Sequence, residues 1–266
     1  MLETLQTASR AGGKILTSYF GNKYQTSHKG HWRNIVTTAD VESQKIIQQT
    51  IRDLMQKKGH KASNIGFIGE ENLHTQGEYQ FIIDPLDGTT NFACGLEYFT
   101  VSIACYRAGQ PVCGVIYLPV SDIIYFGVSG QGAYKRVKHK DTKLTINQAP
   151  LTAMTITAHL SSNPLVQEKM IRIVNRLAGK TLGIRHLGCV TMEQCYLVEN
   201  IFGAVLNANH FIWDTAATQI IIEEAGASLT DWQGKRLEYN FDNPNQSYNS
   251  LGCHPANLNS LQKYLE

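Results

Sequence analysis

Three short stretches gather carboxylates that could work together: Gly69-Glu70-Glu71, Asp84-Pro85-Leu86-Asp87-Gly88-Thr89-Thr90-Asn91-Phe92, and Trp213-Asp214-Thr215-Ala216-Ala217. In the middle one, Asp84 and Asp87 flank a proline, so the backbone is expected to turn and both carboxylates to face one point. Gly88 permits close backbone approach, and the N–H groups of Gly88 and Thr89 can open a helix, which sets an anion site beside a cation site. Carboxylate oxygens without His or Cys select Mg²⁺ or Mn²⁺ over zinc or copper. A phosphate can approach such a cluster only with metal in between, because like charges repel. Two ions ~3.5–4 Å apart, clamping the attacking and leaving oxygens, are the usual arrangement for phosphate esters. Taken singly, each stretch has a plainer reading: Asp-Gly as a turn, Glu70-Glu71 as a solvated strand end, Asp214 as a helix cap. Their occurrence together, in this order, points to chemistry.

The elements that must position these groups are read from periodicity. Apolar residues at Leu2, Leu5, Ala8, Ala11 and Ile15 predict an amphipathic helix. A second helix is expected after Asp40 as N-cap, with Val41, Ile47, Ile51, Leu54 and Met55 inward. Short apolar runs at 64–68 and 79–83 read as buried strands, each ending on acidic residues. Residues 98–135 hold three strand-like stretches separated by Gly-Gln-Pro, Pro-Val-Ser-Asp and Gly-Gln-Gly, which predict an antiparallel meander. Helical spacing returns at 164–177, 189–199 and 213–225, strands are expected at 201–206, 227–230 and 248–252, and a last helix from about 257. The alternation predicts a layered α/β or α+β fold, and no linker divides it, so residues 1–266 are expected to form one domain.

The 266 residues are 42% hydrophobic and 17% charged, which predicts an ordered chain. A net charge of +2 gives no electrostatic reason for a nucleic-acid or membrane-surface partner. Glu3 and the missing basic-then-apolar order predict no signal peptide, and no run of 18 apolar residues predicts a membrane-spanning helix. The six scattered cysteines contain no C-x-x-C pair and are expected to be reduced thiols in a cytoplasmic protein. Zinc would require distant residues to converge, and the nine histidines, with no H-x-x-x-H pair, single out none as a ligand.

The string DPLDGTTNF at 84–92 resembles the first signature of the inositol monophosphatase superfamily, and WDTAA at 213–217 its second; GEE at 69–71 and Val36-Thr37-Thr38-Ala39-Asp40 also match, so the resemblance spans about 30–230. It implies an α-β-α-β-α sandwich, usually dimeric, that uses Mg²⁺, is often inhibited by lithium and hydrolyses a small phosphate monoester such as inositol 1-phosphate. By matching position, Glu70 and Asp84 would bind a first metal with the carbonyl of Leu86, and Asp84 would bridge to a second held by Asp87 and Asp214. Phosphate would rest on the metals and on the N–H groups of Gly88 and Thr89. A metal-bound water would attack in line, oriented and deprotonated by Glu70 and the Thr89 hydroxyl, with Asp40 hydrogen-bonded to that threonine.

The alcohol side departs from the family pattern. Arg185-His186-Leu187-Gly188-Cys189-Val190-Thr191 keeps the Arg and Gly188 but replaces small residues at Val190 and Thr191, and Asn207 stands where inositol-selective members carry glutamate. Gly188, Val190 and Asn207 are therefore expected beside the substrate alcohol. Thr-Thr-Asn-Phe at 89–92 disfavours the sulfur-assimilation nucleotide phosphatases, which read T-K-E-F, and leaves histidinol-phosphate, fructose-1,6-bisphosphate and NADP as alternative substrates. A non-catalytic scaffold would be marked by lost ligands, and Glu70, Asp84, Asp87, Thr89 and Asp214 are all present. The basic run 135–143 reads as a solvated hairpin, Gly130-Gln131-Gly132 as a turn, and Cys189 as a packing residue.

Overall fold

Helix α1 (Leu2–Tyr19) and helix α2 (Thr38–Lys57) each bury one stripe, Leu5, Ala8 and Leu16 on the first and Ile47, Ile51 and Met55 on the second. Both pack on one face of an eight-stranded sheet, ordered β10-β9-β8-β7-β6-β5-β3-β4. Its strands are β3 (Ile65–Gly69), β4 (Leu73–Thr75), β5 (Tyr79–Asp87), β6 (Thr100–Arg107), β7 (Gln110–Leu118), β8 (Ile123–Val128), β9 (Gly132–Val137) and β10 (Lys140–Leu144). The computed structural model describes residues 1–22, 26–28, 35–161 and 163–265, with backbone alone for 26–28, 35 and 36. A two-stranded ribbon of β1 (Thr26–His28) and β2 (Ile35–Thr37) precedes α2. Residues 30–34, where the family resemblance begins, lie outside the described residues, as does the Val36 side chain.

Strand alternation divides the large sheet's residues between two cores. Val101, Ile103 and Cys105 of β6 face α1 and α2, whereas Ala104 and Tyr106 face the opposite way. The opposite face is covered by α5 (Val190–Val198) and α6 (Ile212–Glu224), which are buried almost all round because a second sheet closes over them. That sheet is ordered β12-β11-β13-β15-β14, from β11 (Thr155–Ala158), β12 (Gly183–Arg185), β13 (Ala204–His210), β14 (Ser228–Thr230) and β15 (Tyr248–Cys253). Its outer face packs on α4 (Pro164–Leu177) and the short C-terminal α7 (Leu258–Gln262). The layers therefore run α-β-α-β-α, as the family resemblance implies.

Several boundaries differ from expectation. The N-cap of α2 is Thr37, and Asp40 sits three residues in, closing a capping box, so Val41 turns outward at 36% exposure. The meander has five strands, β6 to β10, of which the basic run forms the last hairpin. Gly130-Gln131-Gly132 is a turn whose two glycine N–H groups donate to the Glu224 carboxylate at 2.7 Å each. β4, β11 and β12, three or four residues long, fall below what period-2 patterning can show.

Candidate active site

The middle motif is a bulged strand rather than a turn. β5 continues through Pro85 to Asp87, and its ladder with β6 pairs Asp84 with Ser102 and Asp87 with Thr100. Pro85 and Leu86 on β5 thus oppose Val101 alone on β6, and the extra residue flips the alternation. Asp84 and Asp87, which a regular strand would send to opposite faces, both point to the α5–α6 side; Leu86 buries its side chain on the other side against α1 and α2. Pro85 is tolerated because a bulge does not need its missing N–H.

The other carboxylates arrive on neighbouring ends. Glu70 follows β3, the parallel neighbour of β5, and its N–H donates to Ile83 O at 3.3 Å. Asp214 lies in the first turn of α6 and accepts from Phe211 N at 2.7 Å, much as Asp40 accepts from Thr37 N at 2.8 Å at the start of α2. A carboxylate in a helix's first turn meets the positive end of the backbone dipole. Gly88, at φ +90°, turns β5 into α3 (Thr89–Ala93); a Cβ there would lie 2.6 Å from Tyr98 O, so only glycine fits.

Electrostatics show how closely these groups share a site. Burial, followed by the charges of Glu70, Asp87 and Asp214, pushes the Asp84 carboxyl well above its ordinary range, against a 2.9 Å hydrogen bond from Leu86 N to Oδ1. Burial also raises Asp87, although Thr191 and Cys189 donate to it. Asp40, buried beneath them, is pushed up to about 7, mainly by burial and further by Glu70 and Glu71. Neither Asp84 nor Asp87 has an ion pair among the described residues. Leu86 N donates to Oδ1 of Asp84, and the Thr191 and Cys189 donors all meet Oδ2 of Asp87. Hard, mutually repelling oxygens with lone pairs outside these bonds are a donor set that suits Mg²⁺.

The Thr89 hydroxyl lies 3.0 Å from Leu86 O and 3.3 Å from Asp40 Oδ1, which brings three expected site residues into contact. Across the site, Gly188 has φ +75° and Val190 opens α5, both beside the Asp87 loop. Asn207 is placed apart, fully buried on β13 with Nδ2 3.5 Å from Ser250 Oγ and Oδ1 without a partner among the described residues. Two neighbours of Asp87 were not anticipated. Thr191 donates to it from backbone and hydroxyl, and the buried Cys189 thiol donates from 3.2 Å, so Cys189 does more than pack. The signal was faint: a polar residue directly after Gly188-Cys189-Val190, at the start of a helical run.

Comparison with known proteins agrees with this construction. The family model described as "Inositol monophosphatase family" matches residues 1–265. An inositol-1-monophosphatase of Rhizobium meliloti is 31% identical over 241 residues, covering 88% of this chain and 86% of its own. A "Fructose-1,6-bisphosphatase/inositol-1-monophosphatase" of Aquifex aeolicus is 29% identical, covering 86% and 84%. A 3'(2'),5'-bisphosphate nucleotidase CysQ of Salmonella typhimurium is 28% identical, covering 95% and 98%. The crystal structure of extragenic suppressor protein suhB from Bartonella henselae superposes with a TM-score of 0.87 at 26% identity, over 100% of this chain and 98% of that one. Sequence signatures, layer order and match alike place the chain in the inositol monophosphatase family of phosphatases.

Proposed function

We propose that the protein is a Mg²⁺-dependent phosphomonoesterase acting on a small phosphorylated polyol, with inositol 1-phosphate the foremost substrate. The observation that carries this reading is the convergence of Glu70, Asp87 and Asp214 on the buried Asp84, beside the Gly88–Thr89 turn. Glu70, Asp84, the Leu86 carbonyl, Asp87 and Asp214 would hold the ions. When bound, Mg²⁺ supplies positive charge for the phosphoryl oxygens and acidifies water. The first N–H groups of α3 have no partners within their own helix and face the phosphate. Thr89 has one hydroxyl proton and two acceptors in reach, Leu86 O and Asp40 Oδ1, so its oxygen lone pairs are left to orient the attacking water. Glu70 takes the proton that water loses.

On the alcohol side, Gly188 and Val190, beside Asp87, are the residues in reach of a substrate, and Asn207, fully buried on β13, would act only from behind them. The Aquifex relative, whose name carries both activities, supports a broad alcohol pocket. We also propose a homodimer through the patch of Leu96, Tyr98, Val120 and Ile201, 40–51% exposed, which rims a cavity of about 630 Å³. Six free thiols, five of them buried, support a cytoplasmic location. The test is phosphate release across sugar, polyol and nucleotide monophosphates with Mg²⁺. Turnover of inositol 1-phosphate is expected, and no turnover of any substrate would overturn the reading in favour of a scaffold.

A further inference from the structure

Distant residues do converge on an imidazole-rich cluster. His159 follows β11, His186 follows β12, and Glu193 lies one turn into α5, yet one ligand atom from each falls within 4.8 Å of the others. The two rings stand edge to face, with centroids 5.1 Å apart. Glu193 is fully buried, and its Oε1 accepts from Leu187 N at 2.7 Å and Gly188 N at 3.3 Å. Among the described residues its Oε2 accepts no hydrogen bond of good geometry, although the Thr157 hydroxyl stands beside it, and His159 Nδ1 is likewise sealed from solvent without a partner. A buried carboxylate oxygen and a buried ring nitrogen, both unsatisfied, on residues whose ligand atoms gather with a third are the mark of an absent cation. We propose that His159, His186 and Glu193 form a metal site separate from the carboxylate cluster, taking a borderline divalent ion such as Zn²⁺.

The donor set decides the ion. Two imidazoles and one carboxylate suit zinc and its neighbours and offer Mg²⁺ too few oxygens. Burial, with His186 and His210 adding to it, holds His159 down to about 3, so its ring is neutral, as a ligand must be. The exposed His186 gives the ion a way in. Bound there, the ion ties the end of β11 to the 186–189 loop and to α5. That loop carries Gly188 and Cys189, which border Asp87.

The test uses the full chain, stripped with chelator, returned to saturating Mg²⁺, and titrated with Zn²⁺ and with Co²⁺. One Zn²⁺ per chain should bind, and the Co²⁺ form should show tetrahedral visible bands without thiolate charge transfer. His186→Ala and His159→Gln should each weaken Zn²⁺ binding by roughly tenfold or more. His186 is exposed, so its variant keeps the fold and decides the matter alone if His159→Gln unfolds. Unchanged Zn²⁺ affinity in His186→Ala, thiolate bands, or displacement of Zn²⁺ by Mg²⁺ would overturn the proposal. Because the readout is binding, its failure is distinct from a failure to release phosphate.

Discussion

Thr191 holds Asp87 twice: its backbone N–H and its hydroxyl both donate to Oδ2 at 2.6 Å. One oxygen of Asp87 is thereby fixed by the start of α5, which leaves the other to face the site. A hydrogen bond to a charged group contributes about 1.5–3 kcal/mol. Thr191→Val keeps the backbone bond and the shape but loses the hydroxyl. The Mg²⁺ concentration for half-maximal activity should rise about tenfold, with kcat at saturating Mg²⁺ falling less. An unchanged Mg²⁺ dependence would show that the backbone N–H alone positions Asp87.

Asp84 is the carboxylate on which Glu70, Asp87 and Asp214 all act. Removing divalent ions with EDTA should abolish phosphate release, and Mg²⁺ should restore it. Asp84→Asn should lower kcat by roughly 10³-fold or more, since it removes charge from the point where the ligand set meets. Activity that persists in EDTA, or a variant within tenfold of wild type, would refute the metal reading.

Thr89 offers a test that separates orientation from binding. On the proposed mechanism its hydroxyl acts on water in the transition state, so Thr89→Ala should lower kcat by about 10²–10⁴-fold and leave KM nearly unchanged. Thr89→Ser, which restores the hydroxyl 3.0 Å from Leu86 O, should recover most of the loss. Equal behaviour of the two variants would remove the hydroxyl from the reaction.

Asp40 carries the pH dependence. Its carboxyl is near 3.8 when unfolded and about 7 in the fold, so the folded state binds the extra proton between those values. Stability of the chelated protein should therefore be greatest below about pH 4 as far as this group is concerned, and should decline as pH rises toward 7. Asp40→Asn cannot titrate, so the fall in Tm between pH 5 and pH 7.5 should narrow by about 2–4 °C for each ~1 kcal/mol of the Asp40 contribution. Thermal unfolding of both proteins in EDTA measures it, and identical pH slopes would exclude Asp40 as the source.

Lithium addresses the neighbouring ion position. Millimolar Li⁺ at saturating Mg²⁺ and substrate is expected to inhibit, as the family resemblance implies. An insensitive enzyme would stand apart from the inositol-directed members while keeping the same fold.

The carboxylate set was legible in the sequence because each member lies in a compact string whose residue types leave few other uses. The long elements were legible too: Pro164–Leu177 carries its periodicity, its proline and its capping Asn163 in full view. Thr191 was not legible, since the residue it holds is 104 positions away and no local pattern encodes the contact. Separation along the chain also hid the two histidines and Glu193, which meet only because β11 and β12 end where α5 begins. Asp40 misled for a different reason: a capping box places one acceptor at the cap and another three residues later, and the sequence offers both.

The bulge in β5 has a bearing on ancestry. A chain one residue shorter between Asp84 and Asp87 could still zip a regular ladder against Ser102 and Thr100, with both carboxylates on their present face. What it would lose is the carbonyl of Leu86 at Thr89 and the Leu86 N–H at Asp84. Architecture and reactivity are thus separable at a single position. In a family tree, a one-residue gap here would mark a lineage that inherited the sheet and surrendered the enzyme.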